Sequence, residues 1–245
     1  MGACCDVSDP SVVEALGYAG WDFVLINAEG GTIGPYGAEL ENMIRAAYRA
    51  DVTPAVKVPE NEPAMIASAL KLGARLIEVP MVSSRADAER ALRAAHYPPD
   101  GERMAYWGVP ATRYGTDDWD DHVAQAAAET LVYAVLEERE AMENLEGILS
   151  TPGLEAVILG ELDLALRLGG VEDADAHERV EAYREELYRV ANEESVAVID
   201  IVGTESEAAE AVDRGAAGLL YARDDLAMLR EASRAGLAAL RDGAE

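Results

Sequence analysis

Short apolar runs alternate along this chain with longer segments that have helical periodicity. Seven clear runs lie at residues 23–26, 55–58, 76–79, 131–136, 156–159, 196–201 and 217–221, and a weaker eighth opens the chain at residues 2–5. Alternation of this kind predicts an α/β protein in which parallel strands are joined by helical crossovers.

Eight strands with helices between them, in a chain of 245 residues, match the size of a (β/α)8 TIM barrel. We therefore predict a single TIM-barrel domain over residues 1–245. A doubly wound open sheet is the alternative. Such a sheet usually has a glycine-rich phosphate loop after its first strand, and residues 6–10 contain no glycine.

Local signals agree with this arrangement of helices. Asp9 before Pro10 indicates a capped helix start, and Thr204 with Glu207 predicts a capping box. Residues 97–120 break the alternation because they are rich in proline and glycine. We predict that they form a long βα loop over the C-terminal mouth of the barrel, where such loops usually carry function.

Acidic residues dominate the charge of the chain. There are 47 Asp and Glu against 20 Lys and Arg, for a net charge of −27. Such a surface repels phosphate backbones and anionic lipids, so we expect neither nucleic acid nor a membrane as a partner. The carboxylates are spread along the chain and Lys57 and Lys71 are the only lysines. This pattern favours adaptation to molar salt, which screens charge over ~3 Å, rather than an acidic tail.

The chain also carries signals of cellular location. No apolar run is long enough to cross a bilayer, and the first residues lack a secretory signal. Cys4 and Cys5 are adjacent, and two such thiols fit a reducing compartment. A cytoplasmic protein is therefore expected.

Two carboxylates follow neighbouring strands of the predicted barrel. Glu137 comes directly after the fifth run and Asp163 soon after the sixth. The active site of a TIM barrel lies at the C-terminal ends of its strands. Carboxylate oxygens that leave other positions open suit Mg²⁺ or Mn²⁺. Two surface acids in an acid-rich protein are the alternative.

Six segments resemble, in chain order, the motifs of one known family. Residues 20–29 (GWDFVLINAE) are similar to its glycine–aromatic–aspartate segment, apolar strand and Asp-x-Glu-His turn. The others are 56–59 (VKVP) for Arg-Val-Pro, 80–82 (PMV), 97–103 (YPPDGER) for Tyr-Pro-Pro-x-Gly-x-Arg, 136–145 for a Val-Glu strand end and helix start, and 159–164 (LGELDL) for Gly-Pro-x-Asp-Leu. The ordered set resembles the HpcH/HpaI aldolase/citrate lyase family over nearly the whole chain.

This resemblance implies a class II aldolase that joins pyruvate to an aldehyde, or splits the product, through a metal-stabilised pyruvate enolate. It implies that Glu137 and Asp163 hold Mg²⁺ or Mn²⁺. The backbone at Gly160, Leu162 and Asp163 would receive the carboxylate of a 2-oxo acid, such as a 4-hydroxy-2-oxo acid. Lys57 replaces the family's arginine beside the keto oxygen. A point charge there is the favoured role, with a structural role and a Schiff base as alternatives.

The chain departs from the family at its acid/base residues. By resemblance, the histidine is replaced by Gly30, its partner aspartate by Ser83, and a glutamine near the metal by Val135. Glycine cannot move a proton, and general acid/base catalysis contributes about 10²- to 10⁴-fold. Glu29 and Glu161 are the candidate replacements. For Glu161, a surface acid is the alternative.

These losses leave two further functional alternatives. Decarboxylation of oxaloacetate needs no base, since loss of CO2 forms the enolate without deprotonating a hydroxyl. A catalytically degenerate protein that binds metal or 2-oxo acid, or assembles with a paralogue, is the non-enzymatic alternative. The resemblance also implies a homohexamer with exchanged C-terminal helices. Residues 224–241 are predicted to be that helix, although its apolar face also suits packing on its own barrel.

Overall fold

Eight parallel strands pair in sequence order and close into a barrel in the computed structural model, which describes residues 1–116 and 118–242. The strands are β1 (Gly2–Cys5), β2 (Phe23–Asn27), β3 (Thr53–Lys57), β4 (Leu76–Val79), β5 (Leu131–Leu136), β6 (Ala156–Leu159), β7 (Ala197–Val202) and β8 (Gly218–Asp224). The predicted TIM barrel is confirmed, including the weak first strand, which pairs with β2 and β8. Residue 117 and residues 243–245 of the predicted ranges lie outside the described residues.

Helices surround the barrel. They are α1 (Pro10–Ala19), α2 (Ala38–Arg49), α3 (Pro63–Leu72), α4 (Arg85–Ala95), α5 (Trp119–Glu129), α6 (Arg139–Glu143), α7 (Leu145–Leu149), α8 (Glu161–Leu168), α9 (Ala174–Glu194), α10 (Glu205–Arg214) and α11 (Asp225–Asp242). Both predicted helix starts are confirmed. Asp9 caps α1 ahead of Pro10, and Thr204 and Glu207 form a reciprocal capping box at α10.

Two layers of apolar side chains form the core. Alternate strand positions fill the interior of the barrel, among them Leu25, Ala55, Tyr133 and Ile158. The outward-pointing positions meet the helices in a second, larger layer. Successive side chains of a strand point to opposite faces, so strands buried on both faces are apolar throughout. This is why the strands stood out as continuous apolar runs.

Strand ends differ from the prediction where polar residues extend the pairing. The largest difference is at β8, which continues to Asp224 because its backbone pairs with Cys4 of β1. An apolar run ends before such a residue, although the backbone ladder does not. The polar ends of the strands therefore belong to the barrel and form its rim.

The proline- and glycine-rich segment lies elsewhere than predicted. It follows α4 and leads through a short 3-10 segment (Pro110–Gly115) into α5, ahead of β5. Pro110 and Ala111 of this segment line one cavity with Leu72, at the end of α3, and with the residues that lead into β4, which places the segment at the N-terminal end of the barrel. Lys71 Nζ, near the end of α3, lies 3.7 Å from the Tyr106 ring centroid in this segment. The prediction of a loop over the C-terminal mouth was wrong because proline and glycine mark a connection but not its end of the barrel.

The apolar face of α11 remains exposed. Leu226, Leu229, Leu237 and Leu240 are each at least 49% exposed. The helix therefore does not bury these leucines against its own barrel, and its exchange between subunits stays a prediction. Across the described residues, no helix is long and apolar enough to cross a bilayer.

Candidate active site

A cluster of charged side chains lies at the C-terminal rim of the barrel around Lys57. The Lys57 Nζ, at the end of β3, lies 2.5 Å from Glu29 Oε2 and 3.6 Å from Glu78 Oε1. Glu137, directly after β5, interacts electrostatically with Lys57, and Asp163 in α8 interacts with Glu137. The structure therefore brings together four residues predicted for the site: Lys57, Glu29, Glu137 and Asp163.

The Lys57 amine is held in its protonated form. Burial lowers the pKa of this ammonium, but Glu78, Glu29 and Glu137 outweigh burial and raise the pKa above its ordinary value. A Schiff base requires a neutral amine as nucleophile. The ion pairs therefore disfavour a Schiff base and favour a fixed positive charge at the rim.

Glu78 belongs to the cluster but was not assigned a role from the sequence. Burial raises the pKa of its carboxyl, while the Lys57 ammonium lowers it. The Tyr133 hydroxyl lies beside it, yet neither Tyr133 Oη nor Glu78 Oε2 meets hydrogen-bond geometry with a described residue. The sequence feature that could have identified Glu78 is its position as an acid in the apolar strand β4, on the same face as Leu76. An acid buried there is costly unless it is paired.

Glu137 is held by the backbone that follows β4. The residue is 5% exposed, and its Oε1 accepts a hydrogen bond from Met81 N–H at 2.8 Å. Met81 has a φ of 53°, in the left-handed region that non-glycine residues seldom adopt. Burial raises the pKa of Glu137, which the Met81 amide and Lys57 partly counteract. Its Oε2 accepts no hydrogen bond from the described residues, so one oxygen is positioned and the other is left for another partner.

Gly160 is required by the close approach of Glu137. A Cβ at this position would lie 2.5 Å from Glu137 Cβ, 3.1 Å from its Oε2 and 3.1 Å from Val135 Cγ1. Gly160 has a φ of −82°, which any residue adopts. The requirement is therefore for space and not for backbone freedom.

Gly160→Ala is expected to lower the free energy of unfolding by about 1–3 kcal/mol, the usual cost of overfilling a packed site. Gly147→Ala is the matched control, because an added Cβ there has nothing within 4 Å. Gly147 lies in α7, so its replacement is expected to be neutral or to stabilise by up to about 1 kcal/mol. Denaturant unfolding measures both variants, and equal stabilities would contradict the packing argument.

The first turn of α8 presents backbone amides next to Glu137. The helix starts directly after Gly160, and no side chain caps its first N–H groups. Free amides at a helix start bind anions. The Leu162 side chain is 64% exposed, and Asp163 Oδ1 lies 3.4 Å from Arg167 Nη1. The predicted substrate-binding segment is therefore open to solvent.

Glu161 faces a different group of charges. It forms an ion pair with Arg184 of α9, which also pairs with Glu181 and has its Nε 3.9 Å from Asp200 Oδ1. Burial raises the pKa of Glu161, and Arg184 lowers it. The structure thus directs the Glu161 carboxylate to α9 and not to the Lys57 cluster.

Asn27 organises the turn after β2, which contains Gly30, the residue that by resemblance replaces the family's histidine. Its Oδ1 accepts hydrogen bonds from the N–H groups of Glu29 and Gly30 at 3.1 and 3.0 Å, and its Nδ2 donates to Asp6 Oδ1 at 2.8 Å. Among the described atoms, only Asn27 Nδ2, at 3.4 Å, lies within 4 Å of a Cβ added to Gly30. The position has room for a side chain but provides no proton acceptor.

Ser83 is the residue that by resemblance replaces the family's partner aspartate. It is 8% exposed, and its hydroxyl donates to Glu138 Oε2 at 2.9 Å. Its role is to hold Glu138, whose Oε1 also lies 3.3 Å from Arg167 Nη2. This serine therefore does not replace the lost acid/base pair.

Three aspartates at the joint between β1 and β8 form a second acidic group. Asp6, Asp224 and Asp225 offer ligand atoms within 4.8 Å of one another. Asp225 Oδ2 accepts from Val7 N–H at 3.0 Å, and Asp224 Oδ1 accepts from Ala227 N–H at 2.7 Å. Asp6 Oδ1 is bonded to Asn27, as described above. These hydrogen bonds join β1 to the start of α11, which accounts for the aspartates without a metal.

Comparison with known proteins places these features in one family. A family model described as HpcH/HpaI aldolase/citrate lyase matches residues 5–226. A 2-dehydro-3,6-dideoxy-6-sulfogluconate aldolase from Pseudomonas putida is 33% identical over 182 residues, which cover 74% of this chain and 69% of that protein. A hydroxypyruvate/pyruvate aldolase from Paraburkholderia phytofirmans is 29% identical over 241 residues, covering 96% of this chain and 91% of that protein.

The same similarity holds in three dimensions. The crystal structure of a family protein from Burkholderia cenocepacia matches with a TM-score of 0.89 and 28% identity, over 98% of this chain and 93% of that one. The matches include the strand ends that carry Lys57, Glu137 and Gly160. This chain, a TIM barrel with a ring of carboxylates around one lysine, belongs to the HpcH/HpaI aldolase/citrate lyase family.

Proposed function

We propose that this protein is a divalent-metal-dependent carbon–carbon lyase that splits 4-hydroxy-2-oxo acids into pyruvate and an aldehyde, or joins them. The observation that carries the proposal is the state of Glu137, a buried carboxylate with one oxygen fixed by Met81 and the other unpaired among the described residues. Relatives named as a hydroxypyruvate/pyruvate aldolase and a sulfogluconate aldolase support the reaction class.

Glu137 and Asp163 are the proposed ligands of Mg²⁺ or Mn²⁺. They fit such an ion because Glu137 has a free oxygen facing Gly160, and because Asp163 is exposed beside it at the next strand end. Hard carboxylate oxygens that leave positions open for other ligands suit these ions. When bound, the ion supplies Lewis-acid stabilisation of the negative charge that develops on the keto oxygen.

The chain's own residues bind the substrate and accept the proton. The amides of Leu162 and Asp163 bind the carboxylate of the 2-oxo acid, and the Lys57 ammonium lies beside its keto oxygen. Glu29 accepts the proton of the 4-hydroxyl group. The electrons of the bond between C3 and C4 then move to the keto acid as its enolate, and the aldehyde leaves. We assign the proton to Glu29 because its Oε2 contacts Lys57, whereas Glu161 pairs with Arg184.

Glu29→Gln is expected to lower kcat for cleavage of a 4-hydroxy-2-oxo acid by about 10²-fold, the low end of what a positioned base contributes. Decarboxylation of oxaloacetate is expected to change little, since no hydroxyl loses a proton. Glu161→Gln is the matched control and is expected to leave both rates within a few-fold. Equal losses in the two variants, or a loss only in Glu161→Gln, would reassign the base.

Pyruvate release by the purified protein tests the reaction class itself. The assay uses roughly 2 M KCl to screen the negative surface, with Mn²⁺ or Mg²⁺, and with or without EDTA. Oxaloacetate and several 4-hydroxy-2-oxo acids serve as substrates. Release from the hydroxy acids that EDTA abolishes supports the proposal. Release from oxaloacetate alone indicates enolate formation without a base, and no release from a folded, metal-loaded protein indicates a degenerate member.

We further propose that the protein works as single-domain subunits of a homo-oligomer in a salt-rich cytoplasm. The exposed leucines of α11 support exchange of this helix between subunits, in a hexamer by resemblance. The net charge of −27 supports the salt-rich setting and the absence of nucleic-acid partners. Light scattering in KCl tests the assembly, and a monomer at micromolar concentration would contradict it.

A further inference from the structure

A cavity of about 590 Å³ lies at the N-terminal end of the barrel, away from the carboxylate rim. Its walls come from α2, α3, α5 and the connection between α4 and α5. Four arginines line it and, among the described residues, no Asp or Glu does: Arg45, Arg75, Arg103 and Arg113. Acidic residues outnumber basic ones 47 to 20 in this chain, so a cavity whose charged residues, among those described, are all basic runs against its composition.

Arg103 is the buried cation of this cavity. The residue is 4% exposed, and its Nε has no hydrogen-bond partner in the described part of the chain. Its guanidinium lies over the Tyr97 ring, with Cζ 4.5 Å from the centroid. No described carboxylate lies within ion-pair distance of it. Arginine stays protonated in proteins, so this charge is buried without a counter-ion among the described residues, which is a costly arrangement.

Two other arginines of the cavity already have acidic partners. Arg45 forms an ion pair with Glu41 and contacts Tyr114 Oη at 2.5 Å. Arg75 forms an ion pair with Glu129, and its Nε donates to Tyr48 Oη. These contacts hold the cavity walls in place, and the nearby carboxylates balance the charges of Arg45 and Arg75. The same explanation does not apply to Arg103, which lines the cavity and forms no ion pair with a described carboxylate.

We propose that this cavity binds a small organic oxyanion, a carboxylate or phosphate ester, whose charged group pairs with Arg103. The planar guanidinium matches the two oxygens of such a group. The volume falls within the range of small-molecule sites, and Leu70, Leu72 and Pro110 provide contacts for an apolar remainder. A carboxylate side chain of another subunit is a poorer match, because Arg103 is only 4% exposed at the protein surface.

Binding of defined anions tests this site independently of catalysis. Butyrate, butyl phosphate and inorganic phosphate are titrated into the intact protein at constant KCl, with butanol as the neutral control. Isothermal titration calorimetry and the thermal unfolding midpoint are the measurements. Saturable binding of butyrate or butyl phosphate, with no effect of butanol, is expected. The comparison of butyrate with butyl phosphate distinguishes the two head groups, and no binding of any oxyanion would overturn the proposal.

Substitutions in the cavity test whether the anion binds at Arg103. Arg103→Met is expected to raise the Kd of the bound anion at least about 10-fold, the value of a charged hydrogen bond. Arg189→Met, which removes an arginine paired with Glu186 and Glu193 on α9, is the matched control and is expected to keep full affinity. Ala111→Leu narrows the cavity but keeps Arg103, and it is expected to weaken anion binding. This variant tests whether the anion binds in the cavity if Arg103→Met does not fold. Full affinity in Ala111→Leu and in any folded Arg103→Met protein would overturn the assignment. A change of oligomeric state in these variants, without any loss of anion binding, would overturn it too.

Discussion

Replacing Glu137 by glutamine is expected to reduce metal-dependent pyruvate release by about 10³-fold or more. Glutamine keeps the size of the side chain, and its carbonyl oxygen can still accept the hydrogen bond from Met81 N–H. The variant loses the negative charge that the proposed cation requires. Lewis-acid stabilisation contributes several kcal/mol, and about 1.4 kcal/mol corresponds to a tenfold rate change. The loss should therefore exceed that expected for Glu29→Gln, which is about 10²-fold.

Binding of Mn²⁺ provides the direct measurement for this prediction. We expect weaker Mn²⁺ binding in Glu137→Gln. Calorimetry, or the electron spin resonance signal of the free ion, measures the binding. The fold is expected to survive, since Lys57 retains Glu29 and Glu78 as partners. Glu146→Gln, an exposed acid on α7, is the control and should bind and react normally. Unchanged Mn²⁺ affinity in Glu137→Gln would remove Glu137 from the metal site.

The barrel and the proximity of the rim residues could be predicted because both follow from strand periodicity. A parallel strand buried on both faces is a continuous apolar run, and the first polar residue after the run marks the rim. Glu137 was recognised on that basis, and Lys57 as the polar residue near the end of its run. The sequence pattern also predicted that Glu137 and Asp163 would be neighbours, since they follow β5 and β6, which pair.

The direction of side chains at the rim could not be predicted in the same way. Glu29 and Glu161 were equal candidates by position, yet Glu29 contacts Lys57 and Glu161 contacts Arg184. The difference depends on α9, which is remote in sequence and brings Arg184 to the start of α8. The amide of Met81 was also unrecognised as a partner of Glu137, because its role depends on an unusual backbone conformation and not on its side chain.

The grouping of arginines around one cavity also could not be predicted from the sequence. The connection between α4 and α5 was expected at the C-terminal mouth, so its arginines were not considered as a group. Arg103 and Arg75 are 28 positions apart, and only the fold brings both to one cavity. Composition alone argued against any basic site in this chain. A local reversal of charge becomes visible only when the residues are placed in space.

In a Glu29→Gln background, Gly30→His is expected to increase cleavage of 4-hydroxy-2-oxo acids by about 10²-fold, the usual contribution of a positioned base. The position accepts a side chain, because its backbone is outside the left-handed region and only Asn27 Nδ2 lies close to the new Cβ. Ser83→Asp is not added, since an aspartate there would face Glu138. Gly108→His, at a position with nothing within 4 Å of an added Cβ, is the control and should leave the rate unchanged.

The pH profile distinguishes a restored base from a general improvement of the site. A histidine has an ordinary pKa of about 6.5 and accepts a proton only when neutral. The gain in cleavage should therefore be present above that pH and be lost as the pH falls through it. Decarboxylation of oxaloacetate should gain little at any pH, because no hydroxyl proton is removed. A gain of equal size in both reactions would mean that the histidine acts by binding or packing, and no gain would mean that a histidine at position 30 does not reach the 4-hydroxyl group.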